Sequence, residues 1–253
     1  MTEAMRVTVV GCSGSLPGPD SPASCYLVEV DGFRALLDLG NGALGPLQRH
    51  CPTGAVDAVL ISHLHPDHCM DLLSLYVARN YDPGGPCPPI PVLAPDGAGE
   101  HLARAYGRAD GRGLTGSFDF RAWTGRQEVG PLTVTVARMA HTVPTYAMRV
   151  EHGGRVLVYS GDTGPTDALV EIARDADLAL FESAFEEGRD DAAPADLHLT
   201  GRQAAEHAER AGVRRLVLTH LPPWNDPSVS LTAASAAFSG SVEMARPGAA
   251  FEV

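Results

Sequence analysis

The sequence predicts an α/β protein, and two observations carry that expectation. Short apolar runs, some alternating with polar residues at period two, recur from residue 7 to residue 218. The first three stand close together, and later ones are separated by stretches with helical patterning. Strands that come first as a group and then alternate with helices fit two sheets packed between helices.

The early strands are expected over 7–10, 26–30 and 35–37, each dominated by apolar residues. Ala58-Val59-Leu60-Ile61 is a wholly apolar fourth strand, and shorter signals lie at 92–93 and 118–121. Leu132-Thr133-Val134-Thr135-Val136 alternates strictly and opens a strand over 132–137. Further strands are expected over 146–150, 156–159, 178–181 and 216–218. Helices are expected over 70–80, 97–107, 166–174, 201–211 and 230–238, the fourth behind Thr200, whose hydroxyl suits an N-cap. The turn formers from Tyr81 to Pro89 either wall a pocket or only link elements, and Ala192-Ala193-Pro194-Ala195 reads as a surface connector.

His63-Leu64-His65-Pro66-Asp67-His68 is the stretch that points to chemistry. Four metal-binding side chains within six residues follow the 58–61 strand, so they emerge on the loop at its C-terminal end. His63 and His65 can converge on one cation, while Asp67 and His68, on the next turn, can reach a second. A catalytic zinc usually takes three protein ligands and a water, so this surplus of donors points to a two-metal hydrolase. One His-x-His pair would be weak evidence. Repetition strengthens it: His141 follows the 132–137 strand, Asp162 the 156–159 strand and His220 the 216–218 strand. Histidines that merely satisfy a core would not recur at strand ends.

On these residues the chain resembles the metallo-β-lactamase-fold hydrolases nearly end to end. The resemblance implies a four-layer αββα sandwich. It also implies that His63, His65 and His141 hold one metal, that Asp67, His68 and His220 hold another, and that Asp162 bridges them. Asp38, in Leu36-Leu37-Asp38-Leu39-Gly40, resembles the early aspartate that orients a ligand imidazole through its other N–H. Two divalent ions are implied, zinc first because imidazole suits it, with Mn or Fe also accommodated by mixed His/Asp ligation.

Asp196-Leu197-His198-Leu199-Thr200 resembles the extra His-x-Thr element of ribonuclease Z-like phosphodiesterases. Glu182, in Phe181-Glu182-Ser183, falls where that branch carries a glutamate that orients this histidine. A phosphodiester needs such a group, because its leaving oxygen departs poorly unless protonated. The implied catalytic set is Asp67, His198 and Glu182, with His198 the acid. Val9-Val10-Gly11-Cys12-Ser13-Gly14-Ser15, Ser160-Gly161-Asp162-Thr163-Gly164 and Thr219-His220-Leu221-Pro222-Pro223-Trp224 resemble actinobacterial atypical class II cyclic-nucleotide phosphodiesterases. The implied substrate is a small anionic phosphodiester, 3′,5′-cAMP first, opened to a nucleoside monophosphate. That step rests on analogy.

Alternatives within the fold are RNA 3′ processing of the ribonuclease Z kind and lactone or thioester hydrolysis. A metal-binding scaffold without catalysis is the non-enzymatic one. Charge counts against nucleic acid: Asp and Glu total 31 against 19 Lys and Arg, a net charge of −12 with no basic run. His141 and Asp162 are only 21 positions apart, too few for the tRNA-binding arm that ribonuclease Z inserts there.

At 253 residues the chain fits one large domain or two small ones. Because the metal-binding residues span 63 to 220, one domain over 1–253 is expected. Five cysteines, Cys12, Cys25, Cys51, Cys69 and Cys87, with no Cys-x-x-Cys pair argue for a reducing cytoplasm, and Cys69 reads as structural. The opening Met1-Thr2-Glu3-Ala4-Met5-Arg6 has no leader pattern, and no apolar run approaches a membrane span. Leu72, Leu73 and Tyr76 offer a face for a homodimer, though core packing would use them equally well.

Overall fold

The computed structural model describes residues 4–108 and 114–253; the first three residues read for a leader lie outside that range. The first sheet contains β1 (Arg6–Gly11), β2 (Cys25–Val30), β3 (Phe33–Leu37), β4 (Ala58–Leu60), β5 (Ile90–Ala94) and β6 (Phe118–Ala122). The second contains β7 (Arg126–Val129), β8 (Leu132–Arg138), β9 (Tyr146–His152), β10 (Arg155–Tyr159), β11 (Leu178–Glu182), β12 (Arg215–Thr219) and β13 (Ser241–Met244). The last strand, β14 (Ala250–Glu252), returns to pair with β1.

Each sheet has seven strands and the same internal plan. An antiparallel meander leads into four parallel strands, β3-β4-β5-β6 in one sheet and β10-β11-β12-β13 in the other. The meanders turn tightly. Asp31-Gly32 joins β2 to β3 and Gly153-Gly154 joins β9 to β10, all four residues at positive φ, as two-residue hairpins require.

Helices cover both outer faces: α1 (Leu44–Leu47), α2 (Pro66–Cys69), α3 (Leu72–Asn80) and α4 (Ala98–Ala105), then α5 (Asp167–Ile172), α6 (Gly201–Ala211) and α7 (Pro227–Ser235). Three apolar clusters fill the layers. One, with Tyr26, Leu37, Leu60, Leu157 and Leu180, lies between the sheets. A second joins the first sheet to α1, α3 and α4, and a third joins the second sheet to α5, α6 and α7. This is the expected αββα order, two mixed sheets flanked by helices.

Departures from the expected elements have physical causes. β7, β13 and β14 carry no strong apolar pattern because all three are short sheet edges facing water on one side. The helix expected over 70–80 is found as α3 from Leu72 to Asn80, two residues late at its start, and Pro66 opens a separate single turn, α2, over the metal-binding motif. The helix expected over 230–238 begins at Pro227, where Asp226 caps by accepting from the Ser228 N–H. The 81–89 loop feeds the N-terminal end of β5, and Arg79, buried, donates to the Pro88 carbonyl there. It lies at the sheet end opposite the motif and does not wall it.

Leu72 and Tyr76 are buried and Leu73 packs against the same cluster, so core packing accounts for the face offered to a dimer. The five cysteines are free, Cys69 fully buried among apolar neighbours. Among the described residues no helix is long and apolar enough to cross a membrane.

Thr200 and Gln203 form a reciprocal capping box at the start of α6, each side chain accepting from the other's backbone N–H. Thr200→Ala should therefore cost about 1 kcal/mol and lower Tm by roughly 2–4 °C in thermal unfolding.

Candidate metal centre

Asp38 leaves β3 in the left-handed region, at φ 58°, and is fully buried. Its Oδ1 accepts the Ser62 N–H at 2.7 Å; its Oδ2 accepts the Ser62 hydroxyl and the Tyr159 hydroxyl, each at 2.7 Å. The same Oδ2 lies 2.7 Å from His68 Nδ1. An imidazole N–H donated there leaves Nε2 of His68 as a lone-pair donor. Ser62 relays the same constraint, since its oxygen sits 3.0 Å from His63 Nδ1. His141 Nδ1 donates to the Leu197 carbonyl at 2.9 Å, so its Nε2 is also turned inward.

The inward nitrogens meet in two groups. His63 Nε2 and His65 Nδ1 are 3.1 Å apart, His141 Nε2 and His65 Nδ1 3.3 Å, and Asp162 Oδ2 is 3.7 Å from His63 Nε2. Beside them, His68 Nε2 and His220 Nε2 are 3.1 Å apart, and Asp67 Oδ2 is 3.1 Å from His220 Nε2. Asp162 turns its other oxygen, Oδ1, to this second group, 3.2 Å from His68 Nε2. Each group of four offers donor atoms within 4.8 Å of one another.

The donors fit cations better than they fit one another. A hydrogen bond can satisfy one nitrogen–nitrogen pair, but three rings converge in the first group. Asp162 Oδ1 is buried and accepts no hydrogen bond. The cluster is able to bind metal ions, and imidazole with carboxylate suits divalent transition metals.

The electrostatics differ between the two groups: the carboxylates Asp162, Asp38 and Asp67 raise the His68 imidazole well above its ordinary range in spite of burial, while His63 and His65 of the first group are held neutral. Burial, reinforced by His68, holds the His63 imidazole well below its ordinary range, and burial with His141 lowers that of His65. Neutral imidazoles are the coordinating form. Burial opposes ionisation of Asp67 and Asp162, yet the surrounding histidines outweigh it and hold both carboxyls well below the usual carboxylate range.

The sheet plan delivers these residues. Asp38 follows β3 and Ser62-His63 follow β4; Asp162 follows β10, Glu182 ends β11 and His220 follows β12. The C-terminal ends of parallel strands from both sheets meet at one rim, the usual place for sites in such sheets.

Glu182, fully buried at the end of β11, lies beside the two groups. Its Oε1 accepts the Thr163 N–H at 2.8 Å and lies 2.8 Å from His198 Nδ1, while Oε2 accepts the Ala184 N–H at 3.0 Å. The His198 ring is 5.3 Å from His141 and 5.7 Å from His220, with Phe185 edge-on at 5.1 Å. Burial pulls its pKa down, and the Glu182 charge more than reverses that, pushing it up to about 9. Gly164 allows the approach: a Cβ there would lie 2.2 Å from the Ala195 carbonyl, so only glycine lets the His198 segment close in.

All ten residues singled out from the sequence are thus brought to one rim. Ser62 and Tyr159 were missed. Ser62 precedes the motif directly, which was a usable signal; Tyr159 looked like one more apolar strand residue.

The family model described as a beta-lactamase superfamily domain matches residues 34–221. An uncharacterized protein of Mycobacterium leprae is 42% identical over 255 residues, covering 98% of this chain and 89% of its own length. The probable metallo-hydrolase YhfI of Bacillus subtilis is 30% identical over 98% of this chain and 100% of its own. Its crystal structure superposes with a TM-score of 0.89 over 99% of this chain and 100% of that one. A ribonuclease Z of Mycolicibacterium gilvum is 30% identical over 88% of this chain and 86% of its own. By sequence and by fold, the chain belongs to the beta-lactamase superfamily, as a hydrolase of the metallo-β-lactamase fold.

Proposed function

We propose that this hydrolase is a phosphodiesterase that uses two divalent metal ions, zinc first, on a small phosphodiester, most favourably a 3′,5′-cyclic nucleotide. The single observation that carries this reading is the Glu182–His198 pair set against two four-donor groups that share Asp162. Ions held by His63, His65, His141 and Asp162, and by Asp67, His68, His220 and Asp162, would supply Lewis acidity and acidify water.

The chain's own residues supply the rest. Glu182 fixes the His198 ring through Nδ1 and favours its protonated form. A protonated imidazole at the edge of the metal groups can give its proton to a departing alkoxide, which a lactone or thioester needs less. Asp38 and Ser62 hold His68 and His63 against rotation and keep the ligand nitrogens aimed.

A small substrate is favoured by the interval between His141 and Asp162. The β9–β10 hairpin fills it, closed by the two-residue Gly153-Gly154 turn, so the chain there is spent on the sheet. The net charge of −12 acts in the same direction. RNA 3′ processing is the second reading, favoured by the 30% identity to a ribonuclease Z. The donors come from both sheets, which supports one catalytic domain over the whole chain, and buried free cysteines fit a reducing cytoplasm.

Purified protein loaded with Zn or Mn should hydrolyse both bis-p-nitrophenyl phosphate and 3′,5′-cAMP and leave precursor tRNA uncut. Cleavage of precursor tRNA without turnover of cAMP would transfer the assignment to RNA processing.

His198→Ala should lower kcat by about 10²–10⁴-fold while bound metal, measured by elemental analysis, stays at the wild-type ratio. Asp67→Ala should lower metal content and activity together. Glu182→Gln should lower the His198 pKa, because burial then acts without the neighbouring charge. An acid must be protonated to work, so the alkaline fall of kcat should move to lower pH in that variant, as read from pH–rate profiles.

A further inference from the structure

Four imidazoles turn Nε2 inward: His63, His68, His141 and His220. The outer nitrogen of the first three is fixed, by the Ser62 hydroxyl, the Asp38 carboxylate and the Leu197 carbonyl. His220 is different. Its Nδ1 is buried and has no hydrogen-bond partner among the described residues. A ligand ring with no partner on its outer nitrogen must be aimed by its backbone instead. That backbone is unusual, since His220 leaves β12 in the left-handed region at φ 55°.

Two contacts hold this turn. Gly14 packs against it so closely that a Cβ there would lie 2.3 Å from the His220 carbonyl oxygen, and the Gly14 N–H donates to the Leu221 carbonyl at 3.1 Å. The residue before the turn, Thr219, is tied by its side chain: Oγ1 lies 2.6 Å from the hydroxyl of Tyr26, and both residues are buried. Tyr26 stands on β2 of the first sheet, a strand that supplies no metal donor, while Thr219 ends β12 of the second. The bond therefore crosses the core to reach the peptide neighbour of a ligand.

We propose that Tyr26 is a positioning residue for the second metal group: acting through Thr219, its hydroxyl fixes the strand end from which His220 turns back to its ion. The inference rests on the two-ion part of the proposed function and goes beyond it. Burial pushes the Tyr26 phenol up, so it keeps its proton, and away from water a hydroxyl–hydroxyl bond meets little competition. The effect is selective because His220 belongs to the second group, whereas His63, His65 and His141 belong to the first. The Tyr26 ring also lies 5.0 Å from that of Tyr159, whose hydroxyl donates to Asp38 behind His68. Phenylalanine keeps that ring contact, so Tyr26→Phe removes the hydroxyl alone.

The test is the release of zinc from the loaded protein in competition with EDTA, followed by elemental analysis. Wild type should lose its ions in two steps, and the step that Asp67→Ala abolishes belongs to the second group. Tyr26→Phe and Thr219→Val should each weaken that step by on the order of 10–100-fold, as loss of a residue that holds a ligand does. The other step should stay at its wild-type position, which also reports that the variants fold. The double variant should be no weaker than the worse single one, because Tyr26 acts only through Thr219. Thr219→Ser, which keeps the hydroxyl, should bind as wild type does. A second-group step unmoved in either single variant, both steps weakened together, or a double variant weakened by the product of the two single effects would overturn the role of Tyr26. Release of one ion only from wild type, or no step lost in Asp67→Ala, would instead remove the two-ion reading and this inference with it.

Discussion

The carboxylate of Asp38 is the constraint from which the rest of the site follows. It is fully buried, where an ionised group is costly unless every lone pair finds a donor. Four donors from three residues meet it: the Ser62 amide and hydroxyl, the Tyr159 hydroxyl and the His68 imidazole. Those donors join the end of β3 to the loop after β4 and, across the core, to β10 of the other sheet. One satisfied anion thereby sets the spacing between the sheets at the rim and the angle of a ligand ring. Removing a single partner would leave charge buried without compensation, which makes the network all-or-none.

The repeated sheet plan explains why so many donors reach one place. Each sheet ends its meander and then runs parallel, and parallel strands put all their C-terminal ends on the same side. Facing the sheets across a common core brings the ends of β3 and β4 opposite those of β10, β11 and β12. The backbone bears some cost of this arrangement. Asp38 and His220 both leave their strands at positive φ, unusual for residues other than glycine, and both conformations aim a side chain back into the rim.

A strongly acidic chain with a cation-binding rim is internally consistent. Its charge does not help it track a polyanion, yet the divalent ions that the clustered imidazoles and carboxylates suit would provide local positive potential for a small anion. On the proposed reading, selectivity falls to short-range contacts around the metals rather than to a basic surface.

The sequence alone determined the donor types and their places at strand ends, because the strands are apolar runs and the donors break them. It determined the Thr200 start of α6 as well, since capping is a local hydrogen bond written in neighbouring residues. The tertiary structure decided how the donors are shared: His65 contributes Nδ1 where its partners contribute Nε2, and Asp162 offers one oxygen to each group. It also decided the part played by Tyr159, which lies 121 residues from Asp38 and reads locally as an ordinary core tyrosine. The edge strands β7, β13 and β14 were equally silent, because a strand with one open side needs little apolar pattern. Local periodicity reports what a segment buries, and only the packed sheets set which distant segments face one another.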